Sequence, residues 1–287
     1  MHETFNPYIQ WTKRMLKPLY FSSRDLAVRT FRSYSPQTLE IKLKELGLKG
    51  GDSLLVHSAF NRANGFTGSP GDLISALSNA VGAEGQLLMM SMPYRGSSES
   101  YAASTDTFEL HRTPSAMGVV SEAFRRQPDV LRSANPFHPV LARGPNARWL
   151  TADHEKSLYS CGKGSPFERL LSIDGKVLFF DVPFSTLTFM HYIEHYFQDI
   201  LPLQVYSDRP AEFQVMGPAG KVCDCRQYMF SEEARTRRNF VVVERALLKS
   251  GLLAVKRIGN TRLMIVRVAD VFECSAELVK SGSGIYK

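Results

Sequence analysis

The stretch "GKVLFFDVPFSTLTFMHYIEHYF", residues 175–197, decides the fold. Its unbroken apolar run, Val177 to Phe180, is what a strand covered on both faces needs, and Asp181 and Pro183 end it. Ser185 or Thr186 then offers an N-cap for an aromatic helix. A strand that passes straight into a helix is one unit of an α/β sheet. Within that helix His191 and Glu194 stand three residues apart, in the first two turns and on one face. A neutral imidazole there takes a proton, and the carboxylate orients it or holds a cationic substrate amine. With His195 the same residues spell H-x-x-E-H, the inverted zinc-peptidase pattern, in which two histidines bind metal and the glutamate acts as base. A third reading is structural, with both histidines partly buried among Phe189, Tyr192, Tyr196 and Phe197.

The same unit recurs upstream. "SLLVHSAF" (53–60), "GQLLMMSMPY" (85–94) and "PVLARG" (139–144) read as strands. Between them, hydroxyl-proline pairs at Ser35-Pro36, Ser69-Pro70, Thr113-Pro114 and Ser165-Pro166 each predict a helix start. Asp72 and Glu168 are placed to complete capping boxes. Beyond residue 200 the pattern changes. "AEFQVMGPAGKVCDCRQYMF" (211–230) reads as two strands about a turn, and "SEEARTRRNFVVVERALLKSG" (231–251) as one helix ended by Gly251. "LLAVKRIGNTRLMIVRV" (252–268) reads as a hairpin on Gly259-Asn260. The fold class expected is therefore α/β, a mixed sheet flanked by helices, with a smaller antiparallel α+β part at the C-terminal end.

Composition narrows the partners. At 287 residues, 44% hydrophobic and 22% charged, the chain is ordinary globular protein. No apolar run approaches the ~18 residues of a spanning helix, and the N-terminus lacks the core of a signal peptide, so a cytoplasmic location is expected. Cys161, Cys223, Cys225 and Cys274 form no C-x-x-C and predict reduced thiols. A net charge of +7 calls for an anionic partner such as a coenzyme, a nucleotide, a glycan or a lipid surface. Residues 1–33 carry Lys13, Arg14, Lys17, Arg24, Arg29 and Arg32 interleaved with Trp11, Leu16, Tyr20 and Phe21. This is compatible with peripheral contact at the inner face of a membrane, or with a helix packed on the domain. "RTRRNF" (235–240) reads as a solvated helix face. No nucleic-acid motif accompanies either cluster, and no nucleic-acid partner is expected.

At the end of the first strand stand His57 and Ser58, where doubly wound sheets gather ligands. Ser58 and the start at Thr113-Pro114-Ser115 suit a diphosphate, or simply cap their helices. There is no G-x-x-x-x-G-K-[ST] and no G-x-G-x-x-G.

Two longer runs, "LRSANPFHPVLARGPNARWLTADH" (131–154) and "GKGSPFERLLSIDGKVLFFDVPFSTLTFMHYIEH" (162–195), closely resemble the aminoglycoside 3-N-acetyltransferase family of coenzyme A-dependent enzymes. "LKGGDSLLVHSAF", "SPGDLISALSNAVGAEGQLLM" and "RTPSAMGVVSEAFRRQPDVLRS" agree in order, so the resemblance covers residues 34–197. It implies a single domain over 34–287, divided into a core (34–200) and a C-terminal α+β part (201–287), with 1–33 as an extension. It also implies roles. In the family's T-x-x-H-x-x-E block, Thr188 stands near substrate, His191 is the general base and Glu194 lies by the substrate amine, while His195 is dispensable. The co-substrate implied is acetyl-coenzyme A, without a metal.

The chemistry agrees with those residues. A protonated amine must lose a proton before it attacks a thioester, which suits an imidazole. The developing oxyanion needs donors, for which the amides around His57-Ser58 are candidates. No cysteine has an evident base partner, which favours direct transfer. The coenzyme is expected on His57, Ser58, Arg112, Thr113, Ser115 and Arg132, with its phosphates on Ser58, on the start at Thr113 and Ser115, and on Arg112 or Arg132, and substrate on Tyr94, His138 and Thr188. The chain departs from the family at "NPFHP", where Asn135 replaces a histidine and Pro139 a serine, and in a basic charge poorly suited to polycationic aminoglycosides. The function expected is N-acetylation of an amino sugar, nucleotide-linked, lipid-linked or free, in surface-polysaccharide or other glycan biosynthesis. Aminoglycoside resistance is the alternative, and a zinc hydrolase or a non-catalytic coenzyme- or glycan-binding relative are readings of another class. A homo-oligomer is compatible with all of these.

Overall fold

The computed structural model describes residues 28, 30–217, 220–282 and 284–287, so the basic arm expected in 1–33 lies almost wholly outside the described residues. The strands are β1 (Ser53–Ser58), β2 (Gln86–Met90), β3 (Thr107–Glu109), β4 (Leu131–Arg132), β5 (Val140–Arg143), β6 (Lys176–Phe180), β7 (Ala211–Met216), β8 (Val222–Gln227), β9 (Ala254–Ile258) and β10 (Thr261–Arg267). Seven form one mixed sheet in the order β4-β5-β2-β1-β6-β10-β9, in which β1 runs parallel to both β2 and β6 and the outer pairs are antiparallel. The other three form a small sheet, β3-β7-β8.

The apolar run of β6 is buried because the sheet is covered on both sides. Val177 and Phe179 point into one core with Leu55 of β1, while Leu178 and Phe180 point into the other with Leu54 and Val56. The second face is closed by α1 (Pro36–Glu45) and α2 (Pro70–Val81), through Leu39, Leu43, Leu73 and Leu77. A short α3 (Ser98–Ser104) lies over the small sheet's side, and α4 (Val119–Arg125) adds Val120 and Phe124 to the second face. The first face is closed by α5 (Ala147–Thr151), α6 (Pro166–Ser172), α7 (Met190–Tyr196), α8 (Glu232–Arg237), α9 (Val241–Lys249) and α10 (Val268–Lys280). Each fully buried Leu or Phe adds about 1.5–3 kcal/mol of transfer free energy to these two cores.

Three of the four hydroxyl-proline pairs open helices. Ser35, Ser69 and Ser165 cap α1, α2 and α6, and Ser69 with Asp72 makes a full capping box. Glu168 departs from its expected box, because its carboxylate accepts from the Gly164 amide at 2.7 Å instead. Thr113-Pro114 opens no helix. The Thr113 hydroxyl turns back to accept from the Glu109 amide at 3.0 Å, and α4 starts only at Val119 behind Gly118.

The last third does not stand apart. Its hairpin β9-β10 joins the main sheet through β10 against β6, and β7-β8 pairs with β3 from the first half. The helix expected over 231–251 is two. Arg238 leaves the helical region at φ −52°, ψ 133°, and the Asn239 amide donates to Ile285 O at 2.8 Å, which ties residues 284–287 against the break. No helix of the described residues is long and apolar enough to cross a membrane.

Candidate active site

Two adjoining cavities open beyond the C-terminal ends of the parallel strands, where ligands collect in α/β sheets. The first, about 290 Å³, is lined by methionine and valine side chains and by the hydroxyl residues Ser58, Ser121, Thr186 and Thr188. The second, about 280 Å³, is lined by Tyr94, Arg95, His138, His191, Phe230, Arg235 and Arg238. Met92 and Met117 belong to both, so the two are halves of one cleft.

Helix α7 brings His191 to the wall of the second half, with Glu194 buried behind it. His191 Nδ1 donates to Glu194 Oε2 at 2.6 Å, as the i, i+3 spacing allows. Glu194 itself is fully buried (0% exposed), and its second oxygen accepts from Arg238 Nε at 2.7 Å and from the Tyr286 hydroxyl. Every acceptor position facing a neighbour is therefore occupied. The amine-holding role expected of Glu194 does not fit this burial, and the carboxylate instead fixes the imidazole. With Nδ1 turned to Glu194, Nε2 is the nitrogen His191 has left for the cavity. The Arg238 guanidinium is sandwiched at 4.6 Å from the Phe230 ring and 6.0 Å from Phe240, and its Nη2 is buried without a partner.

The electrostatics keep the imidazole neutral. Burial lowers the pKa of His191 below its ordinary value, the Arg238 charge lowers it further, and Glu194 opposes both. For Glu194, burial alone raises the carboxyl, but the hydrogen bond from His191 and the Arg238 charge outweigh it and hold the group below the usual range. His57, on the same sheet face, stacks 5.8 Å from Phe179, and burial with the neighbouring His191 pushes it down to about 4. Its Nε2 is buried without a partner.

The other expected site residues divide. Ser58 and Thr188 line the first cavity, and Tyr94 and His138 the second. Tyr94 stacks 5.0 Å from Tyr101, and His138 stands edge-on 5.5 Å from His191 with its Nδ1 bound to Ser160 Oγ at 2.7 Å. Asn135 supports that loop, its Oδ1 accepting from the amides of Phe137 and His138. Arg112 points to solvent beside Glu109, and Thr113 lines neither cavity. Ser115 stands one layer back, 3.0 Å from Ser121 Oγ. Arg132 is buried under the β3 loop, where it donates to the carbonyls of Thr113 and Ser91 at 2.6 Å and lies over Phe108. Its guanidinium therefore staples a loop and is not free to meet a phosphate. Of the amides near the strand end, that of Ala59 donates to Phe180 O.

His195 turns away. Its ring packs on Tyr159 and Tyr206, and a Cβ added at Gly162 would meet its Nε2 at 2.8 Å, so glycine is required there for close approach. His191 and His195 do not converge with a third donor. Among the described residues no group of three or more His, Cys, Asp or Glu is arranged to hold a metal ion. The four cysteines are free, and burial pushes the Cys161 thiol up, away from nucleophilic use.

A family model described as aminoglycoside 3-N-acetyltransferase matches residues 55–280. The chain belongs to the aminoglycoside 3-N-acetyltransferase family. That places it among the acetyl-coenzyme A-dependent N-acyltransferases, with the coenzyme as co-substrate. It is 29% identical over 201 residues to aminoglycoside N(3)-acetyltransferase III of Serratia marcescens, a match covering 65% of this chain and 72% of that one. The chain spans only 57 to 59% of the length of several other curated relatives. Among solved structures, the acetyltransferase AAC-IIIb with bound coenzyme A is 25% identical with a TM-score of 0.72, covering 87% of this chain and 97% of that one. A variant of the acetyltransferase AAC(3)-IVa in complex with gentamicin is 26% identical with a TM-score of 0.71, covering 87% and 90%. The mixed α/β architecture is thus that of the family. The expected role in glycan biosynthesis has no support among these relatives, whose names and bound ligands point to aminoglycosides.

Proposed function

We propose that the chain transfers the acetyl group of acetyl-coenzyme A to a primary amine of an aminoglycoside, with His191 as general base. The observation that carries this is the buried Glu194, which holds His191 Nδ1 and leaves a neutral Nε2 facing a cleft with two chemically different halves. The methionine- and hydroxyl-lined half fits a pantetheine arm, which is neutral and carries amides and methyls. Acetyl-coenzyme A supplies the thioester. His191 Nε2 takes a proton from the acceptor amine as its nitrogen bonds to the acetyl carbon and the carbon–sulfur bond breaks. The neutral His57 ring, with Nε2 unpartnered, is placed to donate to the acetyl oxygen as negative charge develops there. Tyr94 and His138 wall the acceptor half, and Ser58 and Thr188 the coenzyme half.

The reading is tested with a free-thiol assay and coenzyme binding. His191→Ala should lower kcat by roughly 10²- to 10⁴-fold while keeping acetyl-coenzyme A affinity. His57→Ala should lower kcat by a smaller factor without raising the KM of the acceptor. Normal turnover by the His191 variant would remove the imidazole from the mechanism.

A further inference from the structure

We infer that His138 determines acceptor specificity by donating a hydrogen bond to an oxygen on the carbon next to the acetylated amine, so that the site selects vicinal amino-alcohols and their ethers. The inference rests on the proposed reading of His191 as the base. His138 is 6% exposed and lines the second cavity beside His191. Phe230 packs on both imidazoles, 6.0 Å from His138 and 4.7 Å from His191, and the two imidazole centroids are 5.5 Å apart. The loop that carries His138 is pinned by Asn135, whose Oδ1 accepts from the amides of Phe137 and His138 at 3.0 and 2.9 Å. With Nδ1 turned to Ser160, Nε2 is the nitrogen His138 has left for the cavity, and no hydrogen bond among the described residues reaches it.

The polarity of that nitrogen is set one layer back. Ser160 is held by its own carbonyl, which accepts from His154 Nε2 at 2.7 Å, and its hydroxyl stands 2.7 Å from His138 Nδ1. Among the described residues the hydroxyl proton has one other taker, Cys161 Sγ at 4.0 Å, a long contact to a weak acceptor. The proton therefore goes to Nδ1. Burial, and after it the neighbouring His191 and Arg238, keep His138 neutral, so its single ring proton sits on Nε2 and the cavity is offered an N–H. His191 is the opposite tautomer, because its Nδ1 donates to Glu194 and its Nε2 is left as an acceptor. An acceptor and a donor on rings 5.5 Å apart, each reaching about 3 Å, match an amine N–H and an oxygen on neighbouring carbons. An amine without that oxygen leaves the His138 N–H unanswered, at a cost in binding. An N–H that served the acetyl oxygen instead would act on every acceptor alike.

The test compares two competitors of kanamycin acetylation, using the full-length enzyme in the free-thiol assay. Deoxystreptamine has a hydroxyl beside each amine, and cis-diaminocyclohexane with its amines in the same positions has none. Deoxystreptamine should have the lower inhibition constant by about 5- to 10-fold, the factor one neutral hydrogen bond supplies. His138→Leu should bring that ratio down to one, and His138→Gln, whose amide still donates, should keep part of it. Ser160→Ala releases the tautomer and should lower the ratio in part with acetyl-coenzyme A affinity unchanged. Should His138→Leu fail to fold, the native ratio and Ser160→Ala decide. Equal inhibition by the two compounds in the native enzyme, including none by either, overturns the role of His138 and leaves the base assignment standing. A His138→Leu variant that loses kcat on kanamycin yet keeps the native ratio also overturns it, because the donor then serves the acetyl oxygen. Normal turnover by His191→Ala removes the base, and the donor–acceptor pair with it.

Discussion

The proposed catalytic pair lies three residues apart on one helix, but the groups that tune it lie far off in sequence. His191 and Glu194 could be paired on spacing alone, whereas Arg238 and Tyr286 reach Glu194 from 44 and 92 residues away. No periodicity joins such distant positions, and the arginine run at 235–240 carries the composition of a solvated surface. Arg238 has a second effect, since its charge disfavours the imidazolium form of His191. The folded pKa of His191 lies below the ordinary 6.5, so the base is ready above that value and is lost as pH falls through the lowered one. The acid limb of kcat against pH should therefore lie below 6.5 in the native enzyme. Arg238→Gln should move it upward, while a merely structural loss would lower kcat without moving the limb.

At the scale of elements, the starts were more legible than the interruptions. Ser-Pro pairs mark α1, α2 and α6 because the capping hydroxyl and the fixed proline φ act locally. The break between α8 and α9 has no such local mark. It is made by a backbone pairing of Arg238 with Tyr286 and by the Asn239 bond to Ile285, which no window of sequence contains. Likewise β9-β10 reads as a hairpin from Gly259-Asn260, but its place beside β6 is a long-range choice. The tail thus reaches the proposed His191–Glu194 pair through Tyr286. Tyr286→Phe removes one donor from Glu194 and should lower kcat with little change in melting temperature. Deleting 285–287 also removes the buried Ile285 and Tyr286 side chains, and should cost about 3–6 kcal/mol in denaturant unfolding, since each contributes about 1.5–3 kcal/mol.

Across the whole molecule, several histidines are folded away in neutral form. His57 and His154 are each pushed down to about 4, chiefly by burial, and His138 is lowered as well. His154 shows how the neutral tautomer is held, with Nε2 donating to Ser160 O at 2.7 Å and Nδ1 accepting from Ser133 Oγ at 2.8 Å. Their unfolded value is 6.5, so the unfolded chain binds these protons first. The stability they contribute is complete above about 6.5 and is lost as pH falls through about 4, on the order of 3 kcal/mol for each of His57 and His154. Glu122, held down to about 2 first by Arg125, adds a later loss below the ordinary carboxylate value of 4.5. Urea titrations from pH 7 to pH 4 should show the midpoint falling across the histidine window, and His154→Gln should flatten that fall. A midpoint constant over this range would contradict the neutral burial.

Met92 and Met117, both partly exposed, form the seam between the two halves of the cleft. A thioether there is soft and adaptable, which suits a channel that must admit a flexible arm and then close around it. It is also the group that peroxide converts to a polar sulfoxide. Oxidation of these two thioethers should therefore silence the enzyme at this seam. Treatment with peroxide should abolish acetyl transfer, saturating acetyl-coenzyme A should protect, and methionine sulfoxide reductase should return the activity.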